Sequence, residues 1–202
     1  MGVANGTITV VPANEASWDD LQLVFGERGD PPRCQCQWFR LRGREFRAMP
    51  VEERAARHRE QTNCGDPAAT TTSGLVAYLD GEPVGWCAVA PRTEYAHLST
   101  SRTVWSGRDE DRTDDSVWAL TCFVTRAGFR RLGVSYALAA AAVDFARDRG
   151  AAVLEGYPMI TSPDTTVAWG ELFVGSRSVF EAAGFTEVSR PSERRVVMRR
   201  EL

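Results

Sequence analysis

The stretch FRRLGVSYAL, residues 129–138, concentrates groups that can hold an anion. Two arginines and a glycine stand where an apolar run ends and an alanine-rich segment begins. The first turn of a helix leaves backbone N–H groups without partners, and the helix dipole adds partial positive charge there. A phosphate over those donors satisfies them. Gly133 lets a ligand approach without meeting a Cβ, Ser135 adds a hydroxyl, and Arg130 and Arg131 add charge-assisted donors. The stretch therefore suits a phosphate or a pyrophosphate. It also reads as a strand–helix turn with surface arginines and a packing glycine, and so short a glycine pattern does not separate the two. Other phosphate and nucleophile signatures are missing: there is no G-x-x-x-x-G-K-[ST], no G-x-G-x-x-G and no G-x-S-x-G.

The other chemistry-bearing residues are the cysteines. Cys34 and Cys36, with His58 and Cys64, form the one conceivable metal set, but C-x-C lacks the usual C-x₂₋₄-C spacing. No metal is expected. Cys87 and Cys122 lie inside apolar runs, where a thiol packs as a small hydrophobe. Five cysteines, an odd and scattered number, do not make a disulfide framework.

The elements that must position these residues follow from periodicity. TITVVPA (7–13) reads as a strand stopped by Pro12, and residues 17–27 as a helix with Ser17 as N-cap. GDPPRCQC breaks structure and starts a loop, and residues 50–60 form a second helix opened by Pro50. Residues 74–91 are a hairpin turning at Asp80-Gly81. SVWALTCFV (116–124), apolar on both faces, is a central strand. A helix follows from about Arg131 to Arg149, with Val134, Leu138, Ala141 and Phe145 as its inner stripe and Gly150 closing it. Residues 152–158 form the next strand, so strand, helix and strand make a parallel crossover. A short helix at 176–185 and two strands finish the chain. The sum is an α/β fold: a mixed sheet with helices on it.

Composition bounds the function. With 202 residues, 43% hydrophobic and 25% charged, the chain suits one domain with a full core. A net charge of −3 lacks the basic excess of a nucleic-acid binder. The arginine-rich segments at 40–47 and 192–200 read as solvated faces. No apolar run reaches a membrane span, and MGVANGTITV lacks the basic-then-apolar pattern of a secretory signal. A cytoplasmic protein with neither nucleic acid nor membrane as partner is expected.

Arg130-Arg131-Leu132-Gly133-Val134-Ser135, after the strand Val117–Val124, resembles the acetyl-CoA signature of the GCN5-related N-acetyltransferases, R/Q-x-x-G-x-G/A at the start of a long helix. Ser135 replaces the last small residue. The resemblance runs from Gly74 to the C-terminus and includes the hairpin, the crossover and VFEAAGF (179–185). Residues 1–73, with the Cys34/Cys36 loop, fit in element order only. The resemblance implies a single domain over 1–202 with its core at 74–202. Its sheet would be mostly antiparallel, with helices on both faces and the parallel crossover at the acetyl-CoA site. It implies acetyl-CoA as co-substrate, its pyrophosphate on residues 130–135 and its pantetheine along the backbone of Cys122, Phe123 and Val124. The thioester would sit where this strand and the 152–158 strand part. Direct attack by a small-molecule or peptide amine would follow, with the alternative of a non-catalytic acyl-CoA-binding module and with a homodimer left open.

Such a reaction needs a neutral amine, and with a pKa near 10.4 only about one amine in a few thousand is neutral at pH 7. Glu155, an acid inside an apolar strand, is the candidate base. A backbone N–H near Phe123 is the candidate oxyanion donor. The family's usual acid, a tyrosine before the A-G-F turn, is replaced here by Phe180, which leaves Tyr157 as candidate acid or an unassisted thiolate. A covalent route through Cys122 is disfavoured for a buried thiol. Trp38, Trp86 and Trp118 read as core or as pocket lining, and the acidic run 109–115 as a solvated loop or as an attractor for a cationic amine.

Overall fold

The computed structural model describes residues 6–161 and 169–202. In chain order the elements are β1 (Ile8–Pro12), α1 (Trp18–Phe25), α2 (Pro31–Cys34), α3 (Gly43–Ala48), α4 (Val51–Thr62), β2 (Leu75–Leu79), β3 (Glu82–Pro91), α5 (Ala96–Thr100), β4 (Val117–Thr125), α6 (Val134–Asp148), β5 (Val153–Gly156), α7 (Arg177–Ala182), β6 (Thr186–Ser192) and β7 (Arg195–Glu201). The strands form one sheet in the order β1-β2-β3-β4-β5-β7-β6. Among the described strands only β4 and β5 pair in parallel, and α6 is the crossover between them.

Alternation along the strands divides the core into two faces. Leu75, Ala77, Leu120, Phe123, Leu154 and Met198 point to one face and bury against Val134, Leu138, Ala142 and Phe145 of α6 and Val179 and Phe180 of α7. On the other face Val76, Trp86, Ala88, Cys122 and Val124 meet Leu21, Val24 and Phe25 of α1. Further along that face Ala90, Ala119, Tyr157 and Val197 meet Tyr95, Leu98, Val104 and Trp105 from the β3–β4 connection. Each fully buried aliphatic or aromatic side chain contributes about 1.5–3 kcal/mol. Leu138, with no exposure, is a single position whose truncation would open the α6 interface. Among the described residues no helix is long and apolar enough to cross a membrane.

Local chemistry explains the boundaries. Ser17 caps α1 by accepting the Asp20 N–H at 3.0 Å. Asp80 and Gly81 turn the β2–β3 hairpin with φ of 50° and 85°. Three boundaries differ from the sequence reading, the first being β5, which stops at Gly156 and leaves Tyr157 beyond the strand that was expected to run to residue 158. Pro31 and Pro32 preset a helical turn where a loop was expected, and α2 stops because Gln35 and Cys36 adopt φ of 48° and 52°. The long helix starts at Val134 rather than at Arg131, because Arg131 and Gly133 take left-handed φ of 65° and 83°. Its buried face is also wider than the expected stripe: Ala139, Ala142, Val143 and Ala146 are buried, while Ala141 is only half-buried.

Candidate active site

The parting of β4 and β5 defines the site. β5 pairs with β4 only from Val117↔Val153 to Leu120↔Gly156. β4 then runs on to Thr125 with β3 on its other side, so among the described residues its Thr121–Thr125 edge faces no strand. A bulge enters at that point: Val89 pairs with Leu120 and Ala88 with Cys122, leaving Thr121 as the extra residue. After Gly156 the chain parts from β4 but stays bonded to β7, with the Val196 N–H donating to the Pro158 carbonyl at 3.3 Å and the Ile160 N–H to the Arg194 carbonyl at 2.8 Å, and it meets the start of α7, where the Met159 N–H donates to the Gly175 carbonyl at 3.0 Å.

The free edge leads into the start of α6. Phe129 closes a turn on Arg126, its N–H donating to the Arg126 carbonyl at 3.1 Å. Gly133 then caps α6 with no side-chain hydrogen bond, and a Cβ built on it meets nothing within 4 Å. Gly133 is therefore a glycine for its φ, and the space before the helix is open. Phe123 and Val134 bury into the core on the α6 face of the sheet, whereas Cys122 and Val124 bury on the opposite face. Arg131 and Leu132 are exposed and Ser135 is half-buried. Three hydroxyls that sequence reasoning missed border this corner. The Tyr136 hydroxyl lies 3.3 Å from Ser178 Oγ, which lies 3.0 Å from Ser176 Oγ. Tyr136 at one helical turn from Gly133 was the only sequence signal.

Glu155 and Tyr157 lie on the face away from α6. Glu155 is fully buried and accepts from Arg108 (3.2 and 2.6 Å), Arg199 Nε (2.7 Å) and the Tyr157 hydroxyl (2.7 Å), with Arg92 at 3.5 Å. Burial alone would raise its carboxyl, but Arg108, Tyr157 and Arg199 hold it below the usual carboxylate range. Burial and the Glu155 charge push the Tyr157 hydroxyl well above its ordinary value. A carboxylate kept charged by arginines and a phenol committed to it form an ion network, and neither is a free base or a free acid. Trp105 stacks under three guanidiniums, Arg92 at 4.9 Å and Arg108 and Arg112 at 4.7 Å.

The remaining candidates fall into core and rim. Phe180 is fully buried, 5.9 Å from the Phe123 ring and pressed on Gly156, where a Cβ would strike its Cε1. The thiol of Cys122 meets Cys36; that contact and burial raise its pKa well above the ordinary thiol value. Trp86 Nε1–H donates to Cys36 Sγ at 3.0 Å. Trp86 and Trp118 are core, whereas Trp38 is half-buried against Phe46 and His97. In the acidic run, Glu110 pairs with Arg108 and Arg199, and Asp111 and Asp114 accept from Thr113 and Ser116. Among the described residues no cluster of His, Cys, Asp and Glu is arranged to hold a metal. Hollows of about 500 Å³ beside Gly184 and Arg200 and about 380 Å³ beside Arg59 and Cys64 touch neither the β4 edge nor the α6 start. The unpaired edge and helix start, rather than concavity, locate this site.

Comparison with known proteins gives the family and the fold. The sequence model described as "Acetyltransferase (GNAT) family" matches residues 36–158. The chain is similar to solved structures throughout its length. One is a ribosomal-protein-alanine N-acetyltransferase from Brucella melitensis, at TM-score 0.53 and 16% identity over 97% of this chain and 99% of that one. Another is an N-acetyltransferase from Staphylococcus aureus Mu50, at 0.55 and 10% over 96% and 98%. A third is yncA from Salmonella typhimurium with its cofactor acetyl-CoA, at 0.52 and 13% over 96% and 93%. At these identities the likeness is one of fold. No curated protein matches the chain.

Proposed function

Because this chain belongs to the acetyltransferase (GNAT) family, we propose that it transfers the acetyl group of acetyl-CoA to an amine by direct attack in a ternary complex. The observation that carries this reading is the continuity of the unpaired Thr121–Thr125 edge of β4 with the uncapped, glycine-led start of α6. The N–H groups of the first turn, Ser135 and the arginines 130 and 131 receive the pyrophosphate. The pantetheine arm adds to β4 along Cys122–Val124 as a strand would, through backbone hydrogen bonds. The thioester then lies where β4 leaves β5, beside Thr121 and Gly156. A backbone N–H near Phe123 is the donor for the tetrahedral oxyanion. The yncA structure, solved with acetyl-CoA on a similar fold, supports acetyl-CoA as the co-substrate.

Proton handling follows from the burial of Glu155. With no exposure and with Arg108 and Arg199 on its oxygens, it is reserved for holding the β3–β4 connection and β7 against β5. The ammonium proton leaves instead to solvent before attack. The thiolate departs without a dedicated acid, since Phe180 carries no proton and the Tyr157 hydroxyl donates to Glu155. A thiol pKa near 8.5 makes that departure tolerable.

Phe180 also favours a second reading, a non-catalytic acyl-CoA-binding module. Calorimetric titration with acetyl-CoA, followed by thiol release across a panel of amines, separates the two. Amine-dependent release supports the transferase. Binding with release from no amine supports the module, and absence of binding removes both.

A further inference from the structure

The face of the sheet opposite α6 holds a set of buried polar atoms without partners. Among the described residues, Arg40 Nη2, Arg92 Nε, Tyr95 OH and His97 Nδ1 are buried without a hydrogen-bond partner. They lie on neighbouring segments, and Arg40 and Tyr95 meet directly. The Arg40 guanidinium lies 5.0 Å over the Tyr95 ring, the Tyr95 N–H donates to the Arg92 carbonyl at 3.1 Å, and the His97 N–H donates to the Phe39 carbonyl at 3.0 Å. The two arginine atoms can only donate, and the tyrosine hydroxyl donates as readily as it accepts. The missing partner is an acceptor.

Charge gives the same answer. The side chains of Arg40, Arg92 and Arg108 are 10%, 2% and 3% exposed, yet among the described residues the one fully buried carboxylate facing this group is Glu155. Glu94 and Glu110, the other partners, are 46% and 39% exposed. A buried guanidinium donor without an acceptor is costly, and an anionic oxygen supplies what is missing. Location gives the ligand its role. Tyr95 is fully buried beside Thr121, the bulge residue at which β4 leaves β5, although the two side chains make no hydrogen bond of normal geometry.

We propose that Arg40 and Tyr95 anchor the acceptor through a carboxylate, so that the acceptor is an amine with an acid group close to its nitrogen, as in an α-amino acid. The inference rests on the acetyl-transfer reading above. One carboxylate oxygen accepts from Arg40 Nη2 and the other from the Tyr95 hydroxyl. The amine, a bond or two away, is thereby delivered to the end of the β4–β5 pairing. Half-buried Trp38, Phe39 and Phe173 lie alongside, with ring centroids of Phe39 and Phe173 5.9 Å apart, and offer an apolar surface to the rest of the acceptor.

The test uses the full chain with acetyl-CoA and a panel of proteinogenic L-amino acids, their carboxamides and their decarboxylated amines, read as free thiol released. Acids should be used, with matched carboxamides at least about 10-fold poorer in kcat/KM, the scale of a charge-assisted hydrogen bond. Arg40→Gln should raise KM for the acid about 10- to 100-fold while acetyl-CoA affinity and melting temperature hold, and Arg40→Lys should recover part of the loss. Should Arg40→Gln fail to fold, Tyr95→Phe and the acid-to-carboxamide ratio of the parent still decide. Equal use of acids and carboxamides, preference for polyamines, or an unchanged KM in Arg40→Gln overturns the proposal. So does release from no acid by a protein that binds acetyl-CoA. Failure to bind acetyl-CoA strikes the acetyl-transfer reading instead.

Discussion

Glu155→Gln separates a structural anchor from a catalytic base. The parent carboxylate accepts from Arg108, Arg199 and Tyr157 at 2.6–3.2 Å and faces Arg92 at 3.5 Å. Glutamine removes the charge and turns one acceptor oxygen into a donor that meets guanidiniums, which only donate. Glu110 still reaches Arg108 and Arg199, but it is half exposed, and Arg92 keeps only the Asp111 carbonyl at 2.7 Å. Removing one partner of a buried ion pair costs about 3–5 kcal/mol. At about 2–4 °C per kcal/mol for a chain of this size, the melting temperature should fall by roughly 6–20 °C. Denaturant unfolding followed by tryptophan fluorescence measures the loss directly. The pH dependence has a definite sign. The folded-state pKa of Glu155 is lowered, so its contribution is present above the ordinary carboxylate value and is lost as pH falls through the folded value. Parent and variant stabilities should therefore converge in acid. A variant as stable as the parent, with kcat/KM down by about 10²–10⁴, would make Glu155 the base and refute the anchor.

Other substitutions probe the neighbouring elements. Arg131→Gly releases a left-handed φ of 65°, so stability should stay within about 1 kcal/mol of the parent while acetyl-CoA affinity drops about 10-fold or more; equal affinity would take Arg131 out of the cradle. Gly156→Ala drives a methyl into the Phe180 ring and should cost about 1–3 kcal/mol, with Phe180→Leu restoring part of it; purely additive losses in the double mutant would show that the two residues do not meet. His58 is fully buried, and burial with the nearby Arg40 charge lowers its pKa to about 3. Because the unfolded chain takes up a proton that the folded chain refuses, stability should fall between about pH 6.5 and 3 with a slope approaching about 1.4 kcal/mol per pH unit from this group. In His58→Phe that part of the slope should vanish, and an unchanged slope would assign it to other groups.

What the sequence shows depends on how local the determinant is. The Asp80-Gly81 hairpin, the Ser17 cap and the β4-α6-β5 crossover are written in adjacent residues and emerged with small shifts of boundary. The late start of α6 was hidden because Arg131 takes a conformation that only tertiary context imposes on a residue with a Cβ. Glu155 was visible as an anomaly, an acid in an apolar strand. Its partners Arg92, Arg108 and Arg199 stand 63, 47 and 44 residues away, so its environment was not. For the same reason Arg40, one arginine in a stretch that reads as a solvated face, gave no sign of facing inward beside Tyr95.

The central claim is that acetyl-CoA lies along β4 with its pyrophosphate on the start of α6. Calorimetric titration of acetyl-CoA into the parent and into Gly133→Glu tests it most directly. The Cβ position is open, so the added carboxylate meets no protein atom at its base and occupies the place assigned to the pyrophosphate. The left-handed φ of 83° adds only about 1–2 kcal/mol of strain, which a melting curve registers separately. Saturable binding by the parent and none by a folded Gly133→Glu is the predicted result. Equal affinity in both proteins would contradict the placement.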